Sequence, residues 1–154
     1  MAPIPRLYPS GFRVMNVRAD IDRKATENEL DFEIAYFSAP SESVNSDIIL
    51  MGRLEVVAPG HRALATSFTI CKSDEDVADD AVLDSMESIL RDKHCSTTHV
   101  LYDAAASAVR VVGAQVEAHF EVPSTPPGDF SLRDLRNISE SPANESKAEE
   151  KAPS

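Results

Sequence analysis

Asp47-Ile-Ile-Leu-Met-Gly-Arg-Leu-Glu-Val-Val-Ala-Pro-Gly-His-Arg-Ala-Leu-Ala-Thr-Ser-Phe-Thr-Ile-Cys71 is the stretch on which the fold turns. Its centre, Ala58-Pro59-Gly60-His61, has the chemistry of a tight turn. The run before it, Asp47 to Val57, begins with Ile48, Ile49, Leu50 and Met51 in succession, as in a strand covered on both faces at its start. The run after it, near Ala63 to Cys71, places Leu64, Thr66, Phe68 and Ile70 on one face at a period of two. Two strands joined by so short a turn are antiparallel neighbours.

The same period extends upstream. Leu30, Phe32, Ile34 and Tyr36 alternate with Asp31, Glu33 and Ala35, and the strand ends in the turn-like Phe37-Ser38-Ala39-Pro40-Ser41. Before it, Met15, Val17, Ala19 and Ile21 alternate with Asn16, Arg18 and Asp20. Residues 1–11, with three prolines among the first ten, read as irregular. The short Asp22 to Glu29 connection favours neighbouring, antiparallel first and second strands.

Downstream the period changes. Ser73-Asp74-Glu75-Asp76 resembles a capping box, and Asp79 and Asp80 add negative charge where a helix N-terminus favours it. Leu83, Met86 and Leu90 then recur at helical spacing, and Arg91-Asp92-Lys93 ends this first helix. A second helix is predicted from Thr97 or Thr98 to about Ala118, with a threonine as N-cap. One of its stripes is Leu101, Ala105, Ala108 and Val112; an adjacent one contains Val100, Ala104, Val111 and Ala114. Apolar surface this wide implies burial on more than one side, and Val100, Ala104, Val111 and Ala114 are the expected oligomer interface. Phe130, Leu132 and Leu135 suggest a short closing helix. Residues 139–154 lack large apolar side chains and read as a disordered acidic tail. The prediction is an α+β domain over 12–135: a four-stranded antiparallel sheet with two C-terminal helices packed on one face.

Composition narrows the function. The 154 residues carry a formal net charge of -11, against the clustered Lys and Arg that phosphate contacts need. No nucleic-acid partner and no membrane insertion are expected, since no apolar run approaches the roughly 20 residues of a bilayer span. The N-terminus lacks a charged region followed by an apolar stretch, and Cys71 and Cys95 do not make a disulfide framework, so a cytoplasmic location is expected.

Chemistry is harder to find. His94, Cys95 and His99 are a local cluster, but His94 to His99 is not a helical i, i+4 pair, and no paired-ligand spacing supports a metal. No nucleophile elbow occurs, and the five glycines are too scattered for a phosphate loop. His99 and Asp103 lie one helical turn apart, as an ordinary surface pair would. The carboxylates of Asp74 to Asp80 lack the order of a calcium loop. No cofactor and no catalytic activity are therefore expected. Tyr36, Phe37 and Val44, at a strand end and its loop, are the expected polypeptide-contact residues.

The order of four strands, two helices and an acidic tail resembles SecB-like chaperones. Ala63-Leu-Ala-Thr-Ser-Phe-Thr-Ile70 looks like the family's last strand, and Ser73 to Asp80 like its loop into the first helix. His99-Val-Leu-Tyr-Asp-Ala-Ala105 resembles the start of its long helix, and Phe120-Glu-Val-Pro-Ser-Thr-Pro-Pro127 its Pro-containing exit. Asp103 and Ala104 stand where a Pro and an Arg are usual, and Asp22 to Glu29 is shorter than the crossover of export SecB. The layout is thus nearer the SecB-like proteins that accompany toxin–antitoxin systems. The resemblance implies a homo-oligomer, dimer or tetramer, holding unfolded polypeptide without ATP, with an antitoxin or SecA as a further partner. An assembly or phage structural protein, and a small-molecule-binding α+β domain, are the alternatives.

Overall fold

The computed structural model describes residues 4–39, 47–73 and 78–136. In chain order the elements are β1 (Leu7–Asp22), β2 (Glu29–Ala39), β3 (Asp47–Ala58), β4 (Gly60–Ser73), α1 (Asp79–Asp84), α2 (Met86–Leu90), α3 (Ser96–Gln115) and β5 (Ser131–Asp134). The strands form one sheet in the order β1-β4-β3-β2-β5. The α+β class and the antiparallel pairing of the first four strands are as the sequence implies. Four features differ.

First, β1 begins at Leu7, inside the segment expected to be irregular, and pairs with β4 rather than β2. Its register shifts between Pro9 and Phe12 and between Val14 and Asn16. Such irregularities at a sheet edge tolerate a proline, which cannot donate to the ladder. Asp22 lies opposite Gly60 while Glu29 lies opposite Val57, so residues 23–28 cross the end of the β3–β4 hairpin. That crossing is fastened. The Gly60 N–H donates to the Ala25 carbonyl at 2.9 Å, and Arg62 Nε donates to Asp22 Oδ2 at 3.1 Å. A short connection therefore does not enforce adjacency when it can lie over a turn.

Second, β4 turns the face holding Leu64, Thr66, Phe68 and Ile70 away from the core; of these only Leu64 is buried. Ala63, Ala65, Ser67, Thr69 and Cys71 point inward and are buried. The reason is the closeness of α3. Ser67 Oγ donates to the Leu101 carbonyl at 2.7 Å, and a Cβ on Gly52 would stand 3.3 Å from Leu101 Cβ. Small side chains are needed there, so the larger ones take the other face.

Third, the single first helix is two short ones, α1 and α2, meeting at Ser85, whose hydroxyl bonds the Ala81 carbonyl at 2.9 Å. Ser73 closes β4 instead of capping α1. Ala78 is the N-cap and supplies no side-chain bond. Asp74, Glu75 and Asp76 lie outside the described residues. The expected acidic first turn is present as Asp79 and Asp80. For α3 the N-cap is Cys95, and Thr98 instead donates to the Leu90 carbonyl at 2.8 Å, tying α3 to α2.

Fourth, the closing segment is a strand. β5 pairs in parallel with Glu33–Tyr36 of β2, and the Leu135 N–H reaches the Tyr36 carbonyl at 3.0 Å. The acidic tail, 139–154, lies outside the described residues.

The core lies between the inner sheet face and the helices. Phe32, Ile34, Leu50, Leu54 and Val56 from the sheet meet Leu83, Met86 and Leu90 of α1 and α2 and Leu101, Tyr102, Ala105 and Val109 of α3. Phe32 and Tyr102 meet edge-on, with ring centroids 5.2 Å apart. That geometry suits the aromatic quadrupoles and adds to the area they bury.

Candidate functional site: a groove at the end of the long helix

At the C-terminal end of α3 the backbone turns sharply. Glu117 is left-handed, with φ 56°, and the Ala118 N–H returns to the Gly113 carbonyl at 2.9 Å. The chain then runs back beside the helix as Ala118 to Pro123. Tyr102 Oη donates to the Pro123 carbonyl at 2.8 Å, and Arg110 Nη2 donates to the Val122 and Pro123 carbonyls at 3.2 Å. Gly113 makes this return possible, since a Cβ there would stand 2.8 Å from the Phe120 ring.

Between this returning segment, α3 and the start of β2 lies an open hollow of about 860 Å³. Leu30, Gly113, Ala114, Phe120 and Val122 give it apolar walls, and Glu29, Arg110, His119 and Glu121 supply polar groups at its margins. It abuts the first residues of β2, where the strand edge is not covered by β5. An extended segment lying here would meet apolar side chains and a strand edge that no described strand pairs, the two elements of strand-addition recognition.

A second surface is apolar without being concave. β1 lies at the sheet edge and leaves Val14 at 43%, Met15 at 59% and Ile21 at 76% exposure. The alternation of Met15, Val17, Ala19 and Ile21 therefore does not bury one face. The shift between Val14 and Asn16 breaks it: α3 packs on β1, and Leu7, Phe12 and Ala19 rest against the core, while Met15, Val17 and Ile21 stay exposed. On α3, Val100 and Val111 are exposed, Ala104 is half-buried, and Ala114 is exposed in the groove wall. The second stripe of α3 thus faces outward, while Leu101, Ala105 and Val109 face the core.

The expected contact residues separate. Tyr36 is a core residue, 8% exposed, and burial pushes its hydroxyl pKa up. It is not the partly exposed aromatic that its strand-end position suggested. Phe37 points to the opposite face, away from the core that the described helices cover, opposite Ile49 and in line with Ile70, and is half-buried. Adjacent residues in a strand cannot share a face. Val44 lies outside the described residues. Sequence reading missed the groove. Its signals were a glycine inside an otherwise continuous helix and the apolar Phe120-Glu-Val-Pro123 exit.

Titratable groups offer little chemistry. Burial raises the Cys71 thiol to about 12, with Cys95 adding a smaller push. The Lys24 backbone N–H and the Arg62 guanidinium hold Asp22 below the usual carboxylate range. His99 and Asp103 are exposed and share no hydrogen bond. His94 and Cys95 line a separate hollow of about 530 Å³ against residues 4–8. Among the described residues no three His, Cys, Asp or Glu side chains stand where they could share a metal ion. No described helix is long and apolar enough to cross a membrane.

No protein-family model matches the chain, and no curated protein matches it by sequence. Among solved structures it is similar to the SecB-like chaperone Rv1957 of Mycobacterium tuberculosis, in complex with a ChAD peptide from the antitoxin HigA1, Rv1956. The two share 10% identity, and the similarity covers 79% of this chain and 88% of that one at a TM-score of 0.54. The chain has a SecB-like fold.

Proposed function

We infer that the chain is an ATP-independent holdase that binds extended, apolar segments of unfolded polypeptide and works as a homo-oligomer, dimer or tetramer. The observation that carries this reading is the 860 Å³ apolar groove beside the uncovered start of β2. The SecB-like fold, shared with a chaperone whose structure holds an antitoxin peptide, supports the same function class. An antitoxin segment or an export client, with SecA as a further partner, is the corresponding choice of client. The reading needs no catalytic step and no cofactor, and it places the protein in the cytoplasm. Self-association would use the edge of β1 and the outer stripe of α3, because an unpaired edge with apolar side chains is a template for another chain.

The exposed β1 and α3 surfaces equally favour the second reading, a structural subunit of an assembly. One experiment separates them: light scattering to measure particle mass, with an aggregation-suppression assay on a heat-unfolded protein, without ATP. A holdase gives a discrete oligomer that suppresses aggregation at near-stoichiometric ratio. A structural subunit gives an assembly and no suppression.

A further inference from the structure

We propose that β5 is a resident stand-in for a bound polypeptide strand, and that the β2 edge beneath it is a strand-accepting site from which β5 is displaced. The inference rests on the holdase reading only for its physiological occupant; the site itself follows from the sheet.

Backbone groups of alternate residues in a strand point to the same edge. The Tyr36 carbonyl points to the β5 edge, where it accepts the Leu135 N–H, so the backbone groups of Leu30 and Ser38 point there too. β5 covers β2 only from Glu33 to Tyr36, although β2 runs from Glu29 to Ala39. The edge is thus longer than its occupant, and its uncovered start forms the groove wall at Leu30.

The way β5 is held shows what the site accepts. Phe130 enters first, 6% exposed, with its ring 5.9 Å from Phe32 and the Arg91 guanidinium 4.7 Å above it. Arg91 Nη2 also donates to the Phe130 carbonyl at 2.8 Å. Leu132, two residues on, is half-buried, while Ser131 and Arg133 are exposed. At the far end Arg136 bonds Asp134 and, at 3.0 Å, Asp84 of α1. The site therefore reads an aromatic residue followed two positions later by an aliphatic one, in an extended backbone. Four parallel pairs at a sheet edge make a short ladder, and parallel pairing is the weaker kind per residue. A longer extended segment starting at Leu30 would make more backbone bonds than β5 does and would have to take its place.

The probe is a fluorescent peptide with the sequence of Pro127–Arg136, titrated by anisotropy. In the full chain, Ala35→Cys with Arg133→Cys places thiols on register partners on the same sheet face, within disulfide reach. Oxidised, this variant locks β5 in place; reduced, it is its own control for folding. Arg136→Ala removes the clamp. The tethered strand competes at an effective concentration on the order of millimolar, so the titration extends to about 1 mM. The expected result is at least tenfold weaker probe binding to the oxidised than to the reduced form, and several-fold tighter binding to Arg136→Ala than to the natural chain. Equal binding to oxidised and reduced forms, or no binding to Arg136→Ala, would overturn the proposal. If the probe behaves as expected but no unfolded protein is bound, the strand-accepting site stands and the holdase reading falls.

Discussion

Replacing Gly52 with alanine adds one methyl group at the place where α3 lies nearest the sheet. The new Cβ would stand 3.0 Å from Ser67 Oγ, 3.2 Å from the Phe32 ring and 3.3 Å from Leu101 Cβ. All three neighbours are buried, and Leu101 Cβ is fixed to the helix backbone, so none yields freely. Overpacking of this kind costs ~1–3 kcal/mol. Moving Ser67 also weakens its bond to the Leu101 carbonyl, about 1 kcal/mol more. Against this, removing a glycine from a strand returns roughly 0.5–1 kcal/mol of unfolded-state entropy. The balance is a loss of about 1–3 kcal/mol, a fall in Tm of ~3–10 °C for a domain of this size. Thermal unfolding followed by circular dichroism reads it. Gly128→Ala, with nothing within 4 Å of its added Cβ, is the control and should shift Tm by less than about 2 °C. If Gly52→Ala unfolds at or above the natural Tm, α3 does not lie this close to the sheet, and the account of why β4 turns its small residues inward is wrong.

Glu117→Gly should stabilise the fold by ~0.5–1 kcal/mol in urea unfolding, because Glu117 holds a left-handed conformation that glycine adopts without strain. Val111→Asp should lower the oligomer mass in light scattering while leaving the monomer fold intact, since Val111 is 60% exposed on the outer stripe of α3. A change at Arg110, already bonded to the Val122 and Pro123 carbonyls, should alter the groove more than the oligomer. Alkylation at pH 8 with mass-spectrometric readout should modify Cys95 first. Cys71 is fully buried, its pKa is raised to about 12, and it should react only on unfolding.

The parts of the fold written in simple periods were legible. β2 announced its inner face as Phe32, Ile34 and Tyr36, and all three are core residues. α3 showed two stripes, and the structure buries one and leaves the other largely outside. What periodicity could not decide was which of two usable faces turns inward. In β4 the larger residues occupy one face, yet the helix selects the small one because Gly52 and Ser67 allow close approach. Nor could it give strand order, since residues 23–28 can either form a hairpin or cross one. Phe130, Leu132 and Leu135 fit a helix and a strand equally well. The β2 edge decided between them by offering backbone partners. The groove escaped notice because it is made by three segments distant in sequence: residues 28–30, the end of α3 and 118–123.

The central claim, that the groove beside β2 receives unfolded polypeptide, is tested most directly by titrating a permanently unfolded, fluorescently labelled protein against the chain, without ATP, and against Leu30→Asp and Ala114→Asp. Both positions line the groove, and neither is a fully buried core residue. The account expects saturable binding to the natural chain and at least tenfold weaker binding to each variant, with both variants still unfolding cooperatively and the oligomer mass of Leu30→Asp, which lies off the outer stripe of α3, unchanged. Absence of saturable binding to the natural chain would contradict the claim outright; equal binding by the variants would place the polypeptide elsewhere on the molecule.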